Sequence, residues 1–285
     1  MGPQSEFALP SAARIHQAML TYHASVAADD LPPALRLIAD PVRWRLLRAL
    51  AGGDQRVREL VAAVGEPQNL VSYHLRQLRG GGLVTARRSS FDGRDTYYSL
   101  DLAGCAGALA GAAGALHPGL VPGLGAGHGD GTGHGDGGAG GNPRRVLFVC
   151  TGNSGRSPMA AALLRHRAGT RVHAASAGTH PKPLHPAAAA VLRERYLIDI
   201  GGHRPTHVNT VAGQRFDYVI SLCDKAREAC PEFAGSPGRI HWSLPDPAAG
   251  AADERAAYPR FERVAADLST RIRFLLPVLE ADPAG

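Results

Sequence analysis

The sequence predicts two joined domains. The first is mostly α, a helix-turn-helix with a β-hairpin wing, and the second is α/β, with a short parallel sheet flanked by helices. Three observations predict this. Residues 35–78 repeat apolar side chains at helical spacing, and two strand-like runs follow around Asp92-Gly93. Residues 146–158 read as an apolar strand, a tight loop and a helix start. Between them lies a glycine tract, Gly123 to Gly141, too poor in apolar side chains to bury a core. The expected boundaries are 1–102, a linker over 103–143, and 144–285. A length of 285 residues, 44% hydrophobic and 20% charged, suits two globular domains.

In the first domain Leu35, Leu37, Ile38, Val42, Leu46, Leu47 and Leu50 form an apolar face around Asp40-Pro41. Leu70, Val71, His74, Leu75 and Leu78 form another, which ends at Gly80-Gly81-Gly82. His74 is read as a core or capping histidine rather than a ligand. The runs Leu83–Arg88 and Thr96–Leu100 flank the turn pair and make the wing. On the helix from about Gln68 to Arg79, the side chains of Gln68, Asn69, Ser72, Tyr73, Arg76 and Arg79 lie off the apolar face. These types suit base edges and phosphates in a major groove. Arg87, Arg88 and Arg94 place cations on the wing, where a duplex backbone would pass. A net charge of +6 agrees with such a partner without identifying it.

The run Pro67-Gln68-Asn69-Leu70-Val71-Ser72-Tyr73-His74-Leu75 resembles the recognition helix of the ArsR-type metalloregulatory repressors, over about residues 31–102. The resemblance implies binding to double-stranded operator DNA as a homodimer. Residues 12–27 and the alanine-rich stretch after Asp101 are the candidate dimerisation helices. Arsenic-sensing members of that family carry Cys-Val-Cys-Asp-Leu before the recognition helix, a soft site for arsenite. This chain has Arg56-Val57-Arg58-Glu59-Leu60 there, so both sensing thiols are replaced and the inducer is left without its usual site.

The linker should behave as flexible chain, about 20 residues spanning roughly 25 Å. His128 and His134 within it are read as solvated, not as metal ligands. No apolar run is long enough to span a bilayer, no secretory signal stands at the N-terminus, and four cysteines are too few for a disulfide scaffold. A reducing cytoplasmic setting is expected. Cys105 has no assigned role.

The second domain opens with Val146-Leu147-Phe148-Val149-Cys150, a strand that delivers a thiol at its carboxyl end. Thr151, Gly152, Asn153, Ser154 and Gly155 form a loop of small or φ-permissive residues able to turn backbone N–H groups toward an oxyanion. Arg156 can close the ring, and Ser157-Pro158 start a helix. Inward dipoles, a helix N-terminus and a guanidinium all favour thiolate, which makes Cys150 a nucleophile. Asn153 is read as bracing the loop and Ser157 as hydrogen-bonding the thiolate, although either could be an ordinary turn residue or cap.

This segment is similar to the fold family of the low-molecular-weight protein tyrosine phosphatases and related arsenate reductases, over about residues 144–280. Ser176-Ala177-Gly178-Thr179 looks like that family's second strand. The resemblance implies that Cys150 attacks phosphorus or arsenic, that Arg156 holds the oxyanion and that Asp246-Pro247 supplies the general acid. Asp-Pro is also a common turn pair.

A further strand, Phe216–Leu222, ends in Cys223, with Cys230-Pro231 seven residues on. Phosphoryl transfer needs one thiol, whereas reducing arsenate needs two electrons and so a second thiol to attack the first. A third can carry the disulfide to a reductant. Cys223 and Cys230 are placed to serve, unless they are two unrelated buried thiols. One regular helix over 223–230 would hold them roughly 10 Å apart. A disulfide needs Cα atoms within about 7 Å, so the segment is expected to unwind during turnover. The pattern resembles the thioredoxin-coupled arsenate reductases, which implies a thioredoxin-like electron donor and no bound cofactor or metal. Thr151–Ser154 follows the reductase loop, and Asp246-Pro247-Ala248-Ala249 lacks the paired tyrosines of the phosphatases. Ala161 stands where many reductases carry a glutamate near a potassium site, which puts potassium stimulation in doubt.

The combined expectation is a DNA-binding regulator fused to an arsenate reductase. The alternatives are a tyrosine phosphatase joined to a winged helix, and a non-catalytic transcription factor that senses an oxyanion or redox state.

Overall fold

The computed structural model describes residues 31–91, 93–117, 120, 143–233, 235 and 237–280. The candidate dimerisation segment 12–27 and the glycine tract 123–141 lie outside these residues.

The first domain begins with α1 (Pro33–Ile38) and α2 (Pro41–Ala51). Asp40 caps α2 by accepting from the backbone N–H groups of Val42 and Arg43, and Pro41 takes the first-turn position that needs no donor. A two-residue strand β1 (Gln55–Arg56), α3 (Val57–Val64), α4 (Gln68–Gly80), β2 (Val84–Arg88) and β3 (Thr96–Leu100) follow. Strand β3 pairs antiparallel with both β1 and β2. Leu46, Leu50, Leu60, Val71, Leu75, Leu78 and Leu83 close the core beneath them. His74 is buried in α4, 3.8 Å from Asp40.

The alanine-rich stretch after Asp101, expected as a candidate helix although it falls inside the linker bounds 103–143, forms α5 (Leu102–Leu116). Alanine is the best helix former, and Asp101 caps the helix by accepting from the Gly104 N–H. Helix α5 packs against α1 and against the last helix of the chain.

The second domain carries β4 (Arg144–Cys150), α6 (Arg156–Ala168), β5 (Val172–Gly178), α7 (Pro186–Tyr196), α8 (Val208–Val211), β6 (Tyr218–Ser221), α9 (Asp224–Ala229), β7 (Gly238–His241) and α10 (Glu254–Glu280). All four strands are parallel, in the order β5-β4-β6-β7. Val146, Leu147, Phe148 and Val149 are fully buried, as a parallel strand covered on both faces requires. Met159, Leu163 and Leu164 of α6 and Phe261, Leu268 and Ile272 of α10 complete this core.

The strand order reverses direction at β4, because the chain steps from β4 to β5 on one side and then to β6 on the other. Such a switch point leaves a crevice at the carboxyl ends of β4 and β6. Cys150 ends the first of these strands and Cys223 follows the second. No helix among the described residues is long and apolar enough to cross a membrane.

Candidate functional site

A cleft of about 640 Å³ opens at the switch point, lined among others by Cys150, Arg156, Lys182, Cys223, Lys225 and Asp246. Its floor is the loop 151–155, between the end of β4 and the first turn of α6. Asn153 turns the loop with φ +46°, a left-handed conformation that asparagine tolerates better than most residues. Its backbone N–H donates to Cys150 Sγ at 3.2 Å, and Ser157 Oγ lies 3.0 Å from the same sulfur. The Asn153 side chain is fully buried: its Nδ2 donates to Ser157 Oγ and Ser176 Oγ, and its Oδ1 accepts from the Thr206 N–H. The Asn153 carbonyl accepts from His203 Nε2 at 3.0 Å. Every polar atom of this residue is therefore used to hold one loop shape beside the thiol.

Arg156 is 7% exposed and donates to the Leu244 carbonyl at 3.1 Å, with its other terminal nitrogen 3.8 Å from Asp246 Oδ1. The guanidinium is anchored from behind, and Asp246, half exposed, stands at the rim. Beneath the loop, Phe261 stacks on His185 with centroids 4.5 Å apart, and a Cβ on Gly155 would meet that ring at 2.8 Å.

Leu222 continues the sheet through a 2.7 Å bond from its N–H to the Val149 carbonyl, which sets the next residue level with the loop. Cys223 Sγ then lies 3.3 Å from Thr151 Oγ1. Cys150 and Cys223, both buried, thus share one cleft. Cys230 does not join them. It lies beyond α9 and lines a second cavity, about 420 Å³, with Glu59, Arg227, Arg239 and His241. Burial pushes its thiol pKa up, against the partial opposing effect of Arg239.

On the first domain Gln68, Asn69, Tyr73, Arg76 and Arg79 are exposed along α4, and Ser72 is half-buried. Arg88 and Arg94 of the wing are also exposed. Arg87 differs from the expectation. Its Nε donates to the Ser243 carbonyl at 2.8 Å and its Nη2 lies 3.1 Å from Asp224 Oδ2, both in the second domain. The reason is charge: Asp224 is fully buried, and Arg87 is the cation set against it. Arg56 likewise crosses over, to Glu228 at 3.0 Å, while Arg227 of α9 reaches Glu59 at 2.7 Å.

Sequence reasoning missed Ser90, Lys182, His185, Lys225 and Phe261, which line the cleft from separate segments. None belongs to a contiguous motif. The Ser176–Thr179 run was a usable signal, since Ser176 braces Asn153.

Residues 145–284 match the family described as low molecular weight phosphotyrosine protein phosphatase, and residues 40–86 match the arsR family of bacterial regulatory proteins. An arsenate reductase of Bacillus anthracis is 32% identical over 132 residues, which cover 46% of this chain and 93% of that protein. An arsenate reductase of Halalkalibacterium halodurans is 30% identical, over 46% of this chain and 94% of its own length. A solved arsenate reductase in the oxidized state is 26% identical, over 48% of this chain and 98% of that one, at a TM-score of 0.42. With a relative matched almost end to end, the C-terminal domain belongs to the low molecular weight phosphotyrosine protein phosphatase family, with arsenate reductases among its relatives, and is fused to an arsR-family helix-turn-helix domain.

Proposed function

We propose that the second domain reduces arsenate to arsenite through Cys150, Cys223 and Cys230, with a thioredoxin-like dithiol as electron donor, and that the first domain binds double-stranded DNA. The observation that carries this reading is the second thiol in the cleft: Cys223 lies against Thr151 of the Cys150 loop. A phosphatase has no use for it.

In this mechanism arsenate sits in the loop with its charge held by Arg156 and backbone N–H groups. The Cys150 thiolate attacks arsenic, and an oxygen leaves as water with a proton from Asp246. Cys223 then attacks Cys150 Sγ. The S–S bond forms, the S–As bond breaks with its electron pair on arsenic, and arsenite departs as As(III). Cys230 attacks Cys223 and frees Cys150, and the dithiol donor reduces the resulting disulfide. The last exchange requires α9 to open, because its six residues separate the two thiols.

A thioredoxin-coupled assay with arsenate on the Cys150→Ser, Cys223→Ser and Cys230→Ser proteins tests the relay. Loss of turnover in all three is expected. Fast aryl phosphate hydrolysis that survives loss of Cys223 and Cys230, without arsenate-dependent oxidation of the donor, would replace this reading with the phosphatase one.

A further inference from the structure

We infer that the wing of the DNA-binding domain is a working part of the reductase cleft, with Arg87 a positioning residue for the Cys223 thiol. DNA phosphates and Asp224 then compete for one guanidinium. The inference rests on the relay reading for what Cys223 does.

Asp224 directly follows Cys223 and opens α9, and its side chain is wholly buried. It is held by His241 Nε2 at 3.2 Å, Ser243 Oγ at 2.6 Å, the Ser90 N–H at 2.7 Å, Ser90 Oγ at 3.0 Å and Arg87 Nη2 at 3.1 Å. Two of these four residues, Arg87 and Ser90, come from the wing, and Ser90 also lines the cleft. Burial alone would push the Asp224 carboxyl up, but the hydrogen bonds and Arg87 outweigh it and hold the group well below the ordinary carboxylate range. It is an anion buried from the surface, and its permanently charged partner belongs to the other domain.

Removing one member of a buried ion pair leaves a charge that must seek solvent. If Arg87 leaves, Asp224 has to move outward, and Cys223 is bonded to it through the backbone. The 3.3 Å contact of Cys223 with Thr151 is then lost, and with it the approach to Cys150. The wing thus affects the step in which Cys223 attacks Cys150, not the binding of the anion, which depends on residues 151–157. A phosphate of a DNA duplex that takes Arg87 has the same effect as removing it.

The test uses the reduced full-length chain carrying Cys230→Ser, in which the reaction stops at the Cys150–Cys223 disulfide. That disulfide is counted by mass after mixing with arsenate and quenching with an alkylating agent. Arg87→Ala is expected to slow its formation about tenfold while the dissociation constant for inorganic phosphate changes by less than about twofold, and Arg87→Lys should recover much of the rate. A mixed-sequence duplex of about 25 base pairs, at low salt, should lower the parent rate toward that of Arg87→Ala and leave the variant unchanged. An undiminished rate in Arg87→Ala, or a parallel loss of phosphate binding, overturns the positioning role. A parent rate indifferent to saturating duplex overturns the competition. If the parent itself forms no Cys150–Cys223 disulfide with arsenate, the relay reading has failed, and that is seen before any Arg87 variant is made.

Discussion

At the scale of single residues, the loop is held by contacts that leave no slack. A Cβ at Gly178 would sit 2.7 Å from the Asn153 backbone nitrogen and 2.8 Å from the Thr151 carbonyl oxygen, atoms that cannot swing aside. Gly178→Ala should therefore weaken phosphate binding at least about tenfold with the fold retained, as calorimetric titration and circular dichroism would show. Ser157→Ala removes a hydrogen bond to Cys150 Sγ and is expected to slow iodoacetamide alkylation of that thiol at neutral pH several-fold, as mass spectrometry of the labelled protein would show. Asp224 sets an acid limit. Its folded pKa lies below its unfolded one, so its stabilisation is complete above the ordinary carboxylate range and fades as pH falls through that range toward the depressed value. Thermal melts should be flat in this respect near neutrality and drop below about pH 4, and Asp224→Asn should flatten that part of the acid limb.

At the scale of elements, α9 is the part that has to change. It is short, bounded by Cys223 and Cys230, and followed by Pro231, which favours extended backbone before it. Amides of residues 223–230 should lose hydrogen-exchange protection when Cys223 and Cys230 are oxidised, and equal protection in both states would exclude unwinding. Elements with a strong local signal were legible in the sequence. The strand–loop–helix at 146–158 carries its own periodicity and turn chemistry, and so does α4, whose first residue, Gln68, was correctly placed. Helix α5 is legible as a helix in the alanine-rich stretch after Asp101, but its glycines and alanines have no amphipathic pattern, so the boundary at 102 puts it on the linker side. The position of Cys230 was not legible either. Spacing along the chain gives a separation, but the cavity a side chain faces depends on the other domain packed beside it.

At the scale of the whole molecule, the two domains share a network that no local pattern reveals, since its partners lie far apart in sequence. Arg87 and Asp224 are separated by 137 positions, and Arg56 and Glu228 by 172. Charged residues on a wing and on a recognition helix look alike in a sequence; only the docked partner separates Arg87 from Arg88. The firmest link is Asp54, 3% exposed, whose oxygens accept from the Ser243 N–H at 2.6 Å and from Arg271 at 3.0 Å. Scanning calorimetry of the full chain should give one transition, and Asp54→Ala, which leaves Arg271 with Asp267 alone as its acidic partner and the Ser243 N–H without its acceptor, should split it in two or lower it by several degrees. The order of synthesis adds a consequence. The Asp54 carboxylate leaves the ribosome long before its partners, which follow 189 and 217 residues later. Until then it faces water, so the winged domain is complete as a fold but not as a surface, and only the finished chain can cover that face.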